Sequence, residues 1–387
     1  MTDDPIQLLN QAPGEELFLT EEPSELFKRF AAGRCAVFTG NKGVESNGAW
    51  DEFHAALPEA VRFAGIEAEP STGTVEKMAD FLNNGKFDTV FAVGGGSVLD
   101  AAKAAFLVNQ SGLPLRELFG VNMLSQRFPG KSFKRIIAVP TTSGTGSEAT
   151  QYSNIVDHTA GVKKLIAEAQ CVPAAGIIVP RYTFSMPESV TLATGCDALA
   201  HLLEGFLNTR ADKNQPEANI WALTGIKLVK EFLPGAIAND PEARKQMAVA
   251  AALGGMTIRF KSTGLPHLCS FSWFGRIAHG IAAIMLLPES WRFYLGNPEV
   301  AARTMELAAI FPGSSPEEII DSFRTFLTSL GVPEKLKSFP DLDPELMRRT
   351  AESAGENKMK LELAPRPVPV EQSKFILQEI LLKSYGE

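Results

Sequence analysis

Three of the five histidines in this 387-residue chain, His201, His267 and His279, fall in its second half with an acidic helix face. In "GCDALAHLLEGF", Gly195 to Phe206, Leu199, Leu202, Leu203 and Phe206 recur at i, i+3, i+4 and i+7. They form an apolar stripe for a core. Asp197, His201 and Glu204 share the opposite face, with Asp197 and His201 at i, i+4, a spacing that lets two side chains grip one ion. His267 and His279 bracket "HLCSFSWFGRIAHG", in which Arg276 is the only charge between them. Imidazoles in such surroundings are expected to be buried and to need partners. Either one alone reads as a core histidine bonded to a carbonyl. One carboxylate with three imidazoles instead makes a four-ligand site for a divalent first-row metal such as Fe²⁺ or Zn²⁺. Cys196 and Cys269 adjoin the proposed ligands, so spacing leaves open a thiolate in the shell, which would favour zinc.

Two loops in the first half suit a nucleotide. "FAVGGGSVLDAAKAA" reads as a strand, the glycines Gly94, Gly95 and Gly96, and a helix from Ser97, with Ser97 as its cap. Glycines admit a phosphate close to the backbone, and a helix N-terminus favours an anion. The spacing matches neither the G-x-G-x-x-G fingerprint nor a Walker A loop. Asp100 and Lys103 read as an i, i+3 ion pair. "PTTSGTGSE", Pro140 to Glu148, again follows a strand and offers hydroxyl donors from Thr141, Thr142 and Thr145. Two such loops at strand ends of one sheet suggest a single extended cofactor across them.

The elements that carry these residues follow two patterns. Short apolar runs at 35–40, 88–97, 134–147 and 175–180 alternate with helical stretches at 73–83 and 97–108. This predicts an α/β part with a parallel sheet covered on both faces. Beyond Met186 the segments 191–207, 219–232, 241–258, 298–310 and 316–330 read as helices, and convincing strands are few. The expected organisation is an α/β dinucleotide-binding domain over 1–185, of Rossmann-like type, followed by an all-helical metal-binding domain over 186–387. A cleft between them is a usual place for a ligand.

Composition narrows the function classes. A net charge of −8 argues against nucleic acid as the main partner. No apolar run reaches the ~20 residues of a membrane span. "MTDDPIQLLNQAPGEE" lacks the basic and apolar regions of a secretory signal. Four cysteines without framework spacing fit reduced thiols in a cytoplasm.

"GGGSVLDAAK", "PTTSGTGSEAT", "GCDALAHLLEG" and "HGIAAIMLLP", in this order, resemble the iron-containing (group III) alcohol dehydrogenases, as does "APRPVPVEQ" near the end. The likeness runs from about Phe38 to Arg366. It implies NAD(P)-linked interconversion of a small aldehyde and a primary alcohol, with hydride passing at the nicotinamide C4, in a homodimer. The family's metal ligands match Asp197, His201, His267 and His279. Its pyrophosphate loop matches Gly95, Gly96 and Ser97, with Gly94 and Asp100 adjoining, and Thr141, Thr142 and Thr145 match positions around the adenosine and phosphates. Lys163 matches a lysine lining the cofactor cleft, and His267, His279 and Lys163 carry the catalytic expectation.

There are departures from the pattern. A second histidine common after the third ligand is here Phe271, so the proton is expected to leave through water or ribose hydroxyls. The His267–His279 interval is two residues shorter than usual, and a frequent Asn-Pro-Thr appears as "EPST", Glu69 to Thr72. An aspartate common at the end of the first strand in NAD-preferring members is here Gly40, followed by Asn41 and Lys42. This points to NADP(H) before NAD(H), since no carboxylate opposes a 2′-phosphate and Lys42 can pair with it. Phe271, Trp273 and Phe274 are expected to line a partly apolar pocket. Other readings are a relative of dehydroquinate synthase or glycerol-phosphate dehydrogenase type acting on phosphorylated substrates, for which only Arg259, Lys261 and Arg276 supply nearby charge, and a nucleotide-binding protein without turnover.

Overall fold

The computed structural model describes residues 4–12, 14, 16–212 and 215–387. Its strands are β1 (Glu16–Leu19), β2 (Cys35–Thr39), β3 (Val61–Phe63), β4 (Thr89–Gly94), β5 (Gly120–Val121), β6 (Ile137–Pro140), β7 (Tyr152–Asp157), β8 (Val162–Ala167) and β9 (Ala175–Ile178). Six of them form one parallel sheet in the order β1-β9-β6-β4-β2-β3. Every residue of β2 is buried, as a parallel sheet covered on two faces requires. Period-two alternation divides its side chains. Ala36 and Phe38 join the core beneath helices Thr72–Gly85 and Gly96–Ser111, and Val37 joins Phe27, Phe53 and Phe91 on the other face.

The runs read as strands at 35–40, 88–97, 134–147 and 175–180 are β2, β4, β6 and β9, each trimmed to its apolar centre. The sequence reading did not include β1 and β3, which complete the sheet edges, or β7 and β8. The last two are antiparallel and make a small second sheet with β5.

From Glu188 onward the described residues contain helices and short 3-10 turns, and no strand. Helices Glu188–Leu207, Ala218–Ile237, Pro241–Lys261 and His279–Tyr294 share one apolar core with Pro316–Ser329, Pro344–Gly355 and Ser373–Tyr385. Several starts are written in the sequence as a capping side chain followed by proline. The Asp240 carboxylate accepts from the Ala243 N–H at 2.8 Å, Ser315 Oγ from Glu318 at 3.3 Å and Asp343 from Leu346 at 2.6 Å. The segment read as one helix over 298–310 is α-helical to Met305 and tightens to a 3-10 turn over Glu306–Ala309. Among the described residues no helix is long and apolar enough to cross a membrane.

Candidate metal centre and nucleotide cleft

Strands β2, β4 and β6 are neighbours, so the loops leaving their C-terminal ends line one crevice. Those loops carry Gly40–Lys42, Gly94–Ser97 and Thr141–Thr145. The helix after β4 begins one residue earlier than the sequence reading placed it. Gly95 is its N-cap, with extended backbone, and Gly96 is its first residue. Ser97 is therefore inside the helix, and its Oγ accepts from the Glu69 N–H at 3.1 Å. A β-carbon on Gly96 would lie 2.5 Å from Thr145 Cγ2, and one on Gly94 2.7 Å from Val98 Cβ. The glycines thus let the two loops close on each other as well as on a ligand.

The Asp100 carboxylate is engaged by the protein itself. Its Oδ1 accepts from Ser147 Oγ at 2.6 Å and its Oδ2 from the Asn154 N–H at 2.8 Å, with the buried Lys103 Nζ at 4.0 Å. Both carboxylate oxygens serve protein donors, which ties the helix to the hydroxyl loop and to β7.

The hydroxyl loop also meets the helical part. A β-carbon on Gly144 would sit 2.6 Å from Thr194 Cβ, and one on Gly146, whose φ is +60°, 2.5 Å from the Ala251 carbonyl. The hydroxyl loop is thus packed closely against two helices, Glu188–Leu207 at Thr194 and Pro241–Lys261 at Ala251 and Gly255.

On that helix Asp197 is buried, and three imidazoles surround its Oδ1. Nε2 of His267 is 3.4 Å away, Nε2 of His279 3.8 Å and Nε2 of His201 3.9 Å. Ligand atoms of Asp197, His201 and His267 lie within 4.8 Å of one another, and all three residues are buried. His279, the first residue of its helix, closes the rim with 25% of its side chain exposed. Two glycine-scale contacts make this possible: a β-carbon on Gly280 would lie 2.0 Å from the Ala193 carbonyl and 2.7 Å from Asp197 Cβ.

Asp197 Oδ1 and His267 Nε2 are buried without a hydrogen-bond partner and face each other at 3.4 Å, a pair that a cation between them would satisfy. Behind them, Glu204 Oε1 contacts His267 Nδ1 and Oε2 accepts from the Gly264 N–H at 2.6 Å. Ser270 Oγ donates to the His267 carbonyl at 3.0 Å and lies 3.3 Å from His279 Nδ1. Both imidazoles are oriented with Nδ1 on the protein and Nε2 toward Asp197, as metal-ligating histidines are. Glu204, visible in the sequence only as the third polar position of the helix face, is the residue that orients His267.

The electrostatics follow the geometry. Burial works to raise the Asp197 carboxyl, but His201, His267 and His279 outweigh it and hold it well below the carboxylate range. Burial pushes His201 down to about 4 and His279 well below the usual imidazole value, with Lys163 adding to the second. Burial opposes the charge of His267 too, yet Glu204 and Asp197 lift it to about 9. The set accepts positive charge and fits a divalent cation.

Neither cysteine belongs to this shell. Cys196 and Cys269 lie in the apolar core, and burial pushes the Cys269 thiol up to about 12 and Cys196 higher still. Trp273 is not a pocket wall either. It is fully buried, and its indole N–H donates to Thr350 Oγ1 at 2.8 Å. Phe271 stacks on His279 with centroids 5.9 Å apart, and Phe274 meets His158 edge-on at 6.0 Å. Lys163 Nζ pairs with Glu69 Oε1 at 2.7 Å at the mouth.

Comparisons with known proteins agree with this arrangement. Residues 19–180 match the family model for iron-containing alcohol dehydrogenase, and 191–381 match the C-terminal model of the Fe-containing alcohol dehydrogenase family. Alcohol dehydrogenase 4 of Schizosaccharomyces pombe is 31% identical over 274 residues, which cover 69% of this chain and 63% of that protein. The NAD-dependent methanol dehydrogenase of Bacillus methanolicus is 29% identical over 77% of this chain and 78% of its own length. An iron-containing alcohol dehydrogenase from Thermotoga maritima superposes with a TM-score of 0.80 at 30% identity, covering 95% of this chain and 98% of that one. A buried cluster of one carboxylate and three imidazoles, set against a parallel sheet, thus comes with matches over both parts of the chain, which belongs to the iron-containing alcohol dehydrogenase family.

Proposed function

We propose that this chain interconverts a small aldehyde and a primary alcohol with a nicotinamide cofactor, and that Asp197, His201, His267 and His279 hold its metal. The observation that carries the reading is the convergence of three imidazole Nε2 atoms within 4 Å of Asp197 Oδ1, on a helix that touches the hydroxyl loop. A divalent iron or zinc ion there supplies Lewis acidity toward a substrate oxygen, and the nicotinamide supplies or takes the hydride. Gly94–Ser97 and Thr141, Thr142 and Thr145 bind the dinucleotide through backbone and hydroxyl donors, and Lys163 lines the cleft beside His279. Phe271 offers no atom that carries a proton. It shields one face of His279 from water, and proton exchange is left to solvent at the exposed rim. Phe271 and Phe274 give the substrate entrance its apolar character.

We further propose NADP(H) as the preferred cofactor. Gly40 closes β2 without a carboxylate, and Lys42 is exposed beside it. A β-carbon on Gly40 would meet nothing nearer than Val98 Cγ2 at 3.6 Å, so Gly40→Asp fits and should turn the preference toward NAD(H). Four buried cysteines, all unpaired, support a reducing cytoplasmic setting, and a homodimer is the proposed assembly. We treat residues 1–185 and 186–387 as the nucleotide and metal domains.

Metal analysis of anaerobically purified protein, followed by an aldehyde panel with NADPH and NADH, tests the reading. Stoichiometric iron or zinc with NADPH-linked reduction is expected. Metal-replete protein that turns over no aldehyde or alcohol would overturn it, and a clear advantage for NADH would overturn the cofactor choice alone.

A further inference from the structure

Glu69 stands where three otherwise separate segments meet. It lies in the loop after β3, between the glycine loop and the metal centre. Its carboxylate takes the Lys163 ammonium of β8 on Oε1 at 2.7 Å and the Gly275 N–H on Oε2 at 3.0 Å. Its own N–H donates to Ser97 Oγ at 3.1 Å. One residue therefore joins the phosphate-binding helix, the β7–β8 hairpin and the turn that runs from Phe271 to His279.

Its backbone is held in the left-handed region, φ 56°, which costs an L side chain energy and persists only where the surroundings fix it. A second contact joins the same partners, since His158 in the hairpin turn meets Phe274. Gly275 and Arg276 are exposed, and Arg276 Nη1 donates to the Asp341 carbonyl at 3.1 Å on the helical side, so the Glu69 and His158 bridges are what tie the exposed end of the turn to the nucleotide part by side chains.

We propose that Glu69 is a positioning residue that straps the Phe271–Ala278 turn to the nucleotide part, and so fixes the aromatic entrance over His279 before any substrate arrives. Glu69 sets the substrate opening through Gly275 while restraining Lys163. Its influence on turnover is exerted through the turn.

The experiment uses the full-length, metal-loaded chain without nucleotide, as native protein, Glu69→Gln and Glu69→Gly. Glycine suits the left-handed backbone, so Glu69→Gly removes the carboxylate while relieving the strain, and the fold is kept. Glutamine retains an oxygen for the Gly275 N–H and loses the charge for Lys163. Amide hydrogen exchange across 271–278 is expected to rise about tenfold in Glu69→Gly, as loss of a charge-assisted bond implies, and to stay within about threefold of native in Glu69→Gln.

In steady-state assays Glu69→Gly should raise the aldehyde KM about tenfold while the NADPH Kd, read by fluorescence titration, moves less than about threefold. Unchanged exchange over 271–278 in Glu69→Gly would overturn the proposal. So would an equal loss of NADPH affinity in both variants without a change in exchange, which would make Glu69 a cofactor contact. The kinetic arm rests on the proposed alcohol–aldehyde reading. The exchange arm needs no turnover, so failure of that reading leaves it able to decide.

Discussion

Glu204→Gln changes one oxygen of a buried side chain to an amide nitrogen. In the native chain Glu204 offers two acceptors to two donors, His267 Nδ1–H and the Gly264 N–H. A glutamine of the same shape has one acceptor. If that oxygen faces Gly264, the amide NH₂ points at His267 Nδ1, which must give up its proton, and Nε2 becomes N–H and is lost as a ligand. If the oxygen faces His267, the NH₂ meets the Gly264 N–H, leaving a buried donor unpaired. Either arrangement costs about 2 kcal/mol against the metal-loaded state, since loss of an orienting partner typically costs 10- to 100-fold in affinity. The expected loss is about 30-fold. Competition against a graded series of chelators measures it, with far-UV circular dichroism reporting that the helices persist. An affinity within about threefold of native would refute the assignment of Glu204 as the residue that sets the His267 tautomer.

His201→Ala should lose the metal and the activity together while circular dichroism is unchanged, and an active, metal-free variant would refute the ligand set. Gly280→Ala should weaken both the fold and metal uptake, by about 1–3 kcal/mol of overpacking in a thermal or urea melt, because the new methyl meets the Ala193 carbonyl and Asp197. Metal uptake should also depend on pH with a definite sign. His267 in the metal-free chain holds its proton up to pH about 9, because Glu204 and Asp197 outweigh its burial. Loading must displace that proton, so apparent affinity should fall about tenfold for each pH unit below 9 and flatten above it. Isothermal titration in buffers of different ionisation enthalpy counts the proton, and a count of zero at pH 7 would contradict the assignment.

Much of the buried cluster around Asp197 was legible in the sequence because its information is local. Asp197 and His201 share one helical turn, and the small residues between them and the leucine stripe separate the two faces. Glu204 was equally visible, but its role depends on His267 lying across a helix crossing, which no spacing within one helix reports. The β7–β8 hairpin escaped the reading for another reason. Several of its residues are half-buried, as in "VKKLIA", so neither a buried run nor clean alternation marks it. Trp273 read as a pocket wall because aromatic residues near a site look alike in sequence. Its indole finds Thr350, which lies 77 residues away along the chain. Residue preference points to Ser97 as the cap, whereas the close approach of Thr142 and Thr145 places glycine at that end of the helix.

The crossing at Gly280 has a bearing on how substrate range can change. Where the helices that carry Asp197 and His279 meet, Gly280 lies against the Ala193 carbonyl and the backbone of Asp197, so their separation is set mainly by backbone rather than by a side chain that drift or design might resize. The aromatic turn just upstream is held by side chains instead, with Glu69 on the Gly275 N–H and His158 against Phe274. Libraries directed at Phe271 and Phe274 should therefore recut the entrance for bulkier or more polar alcohols while the Gly280 crossing keeps His279 beside Asp197.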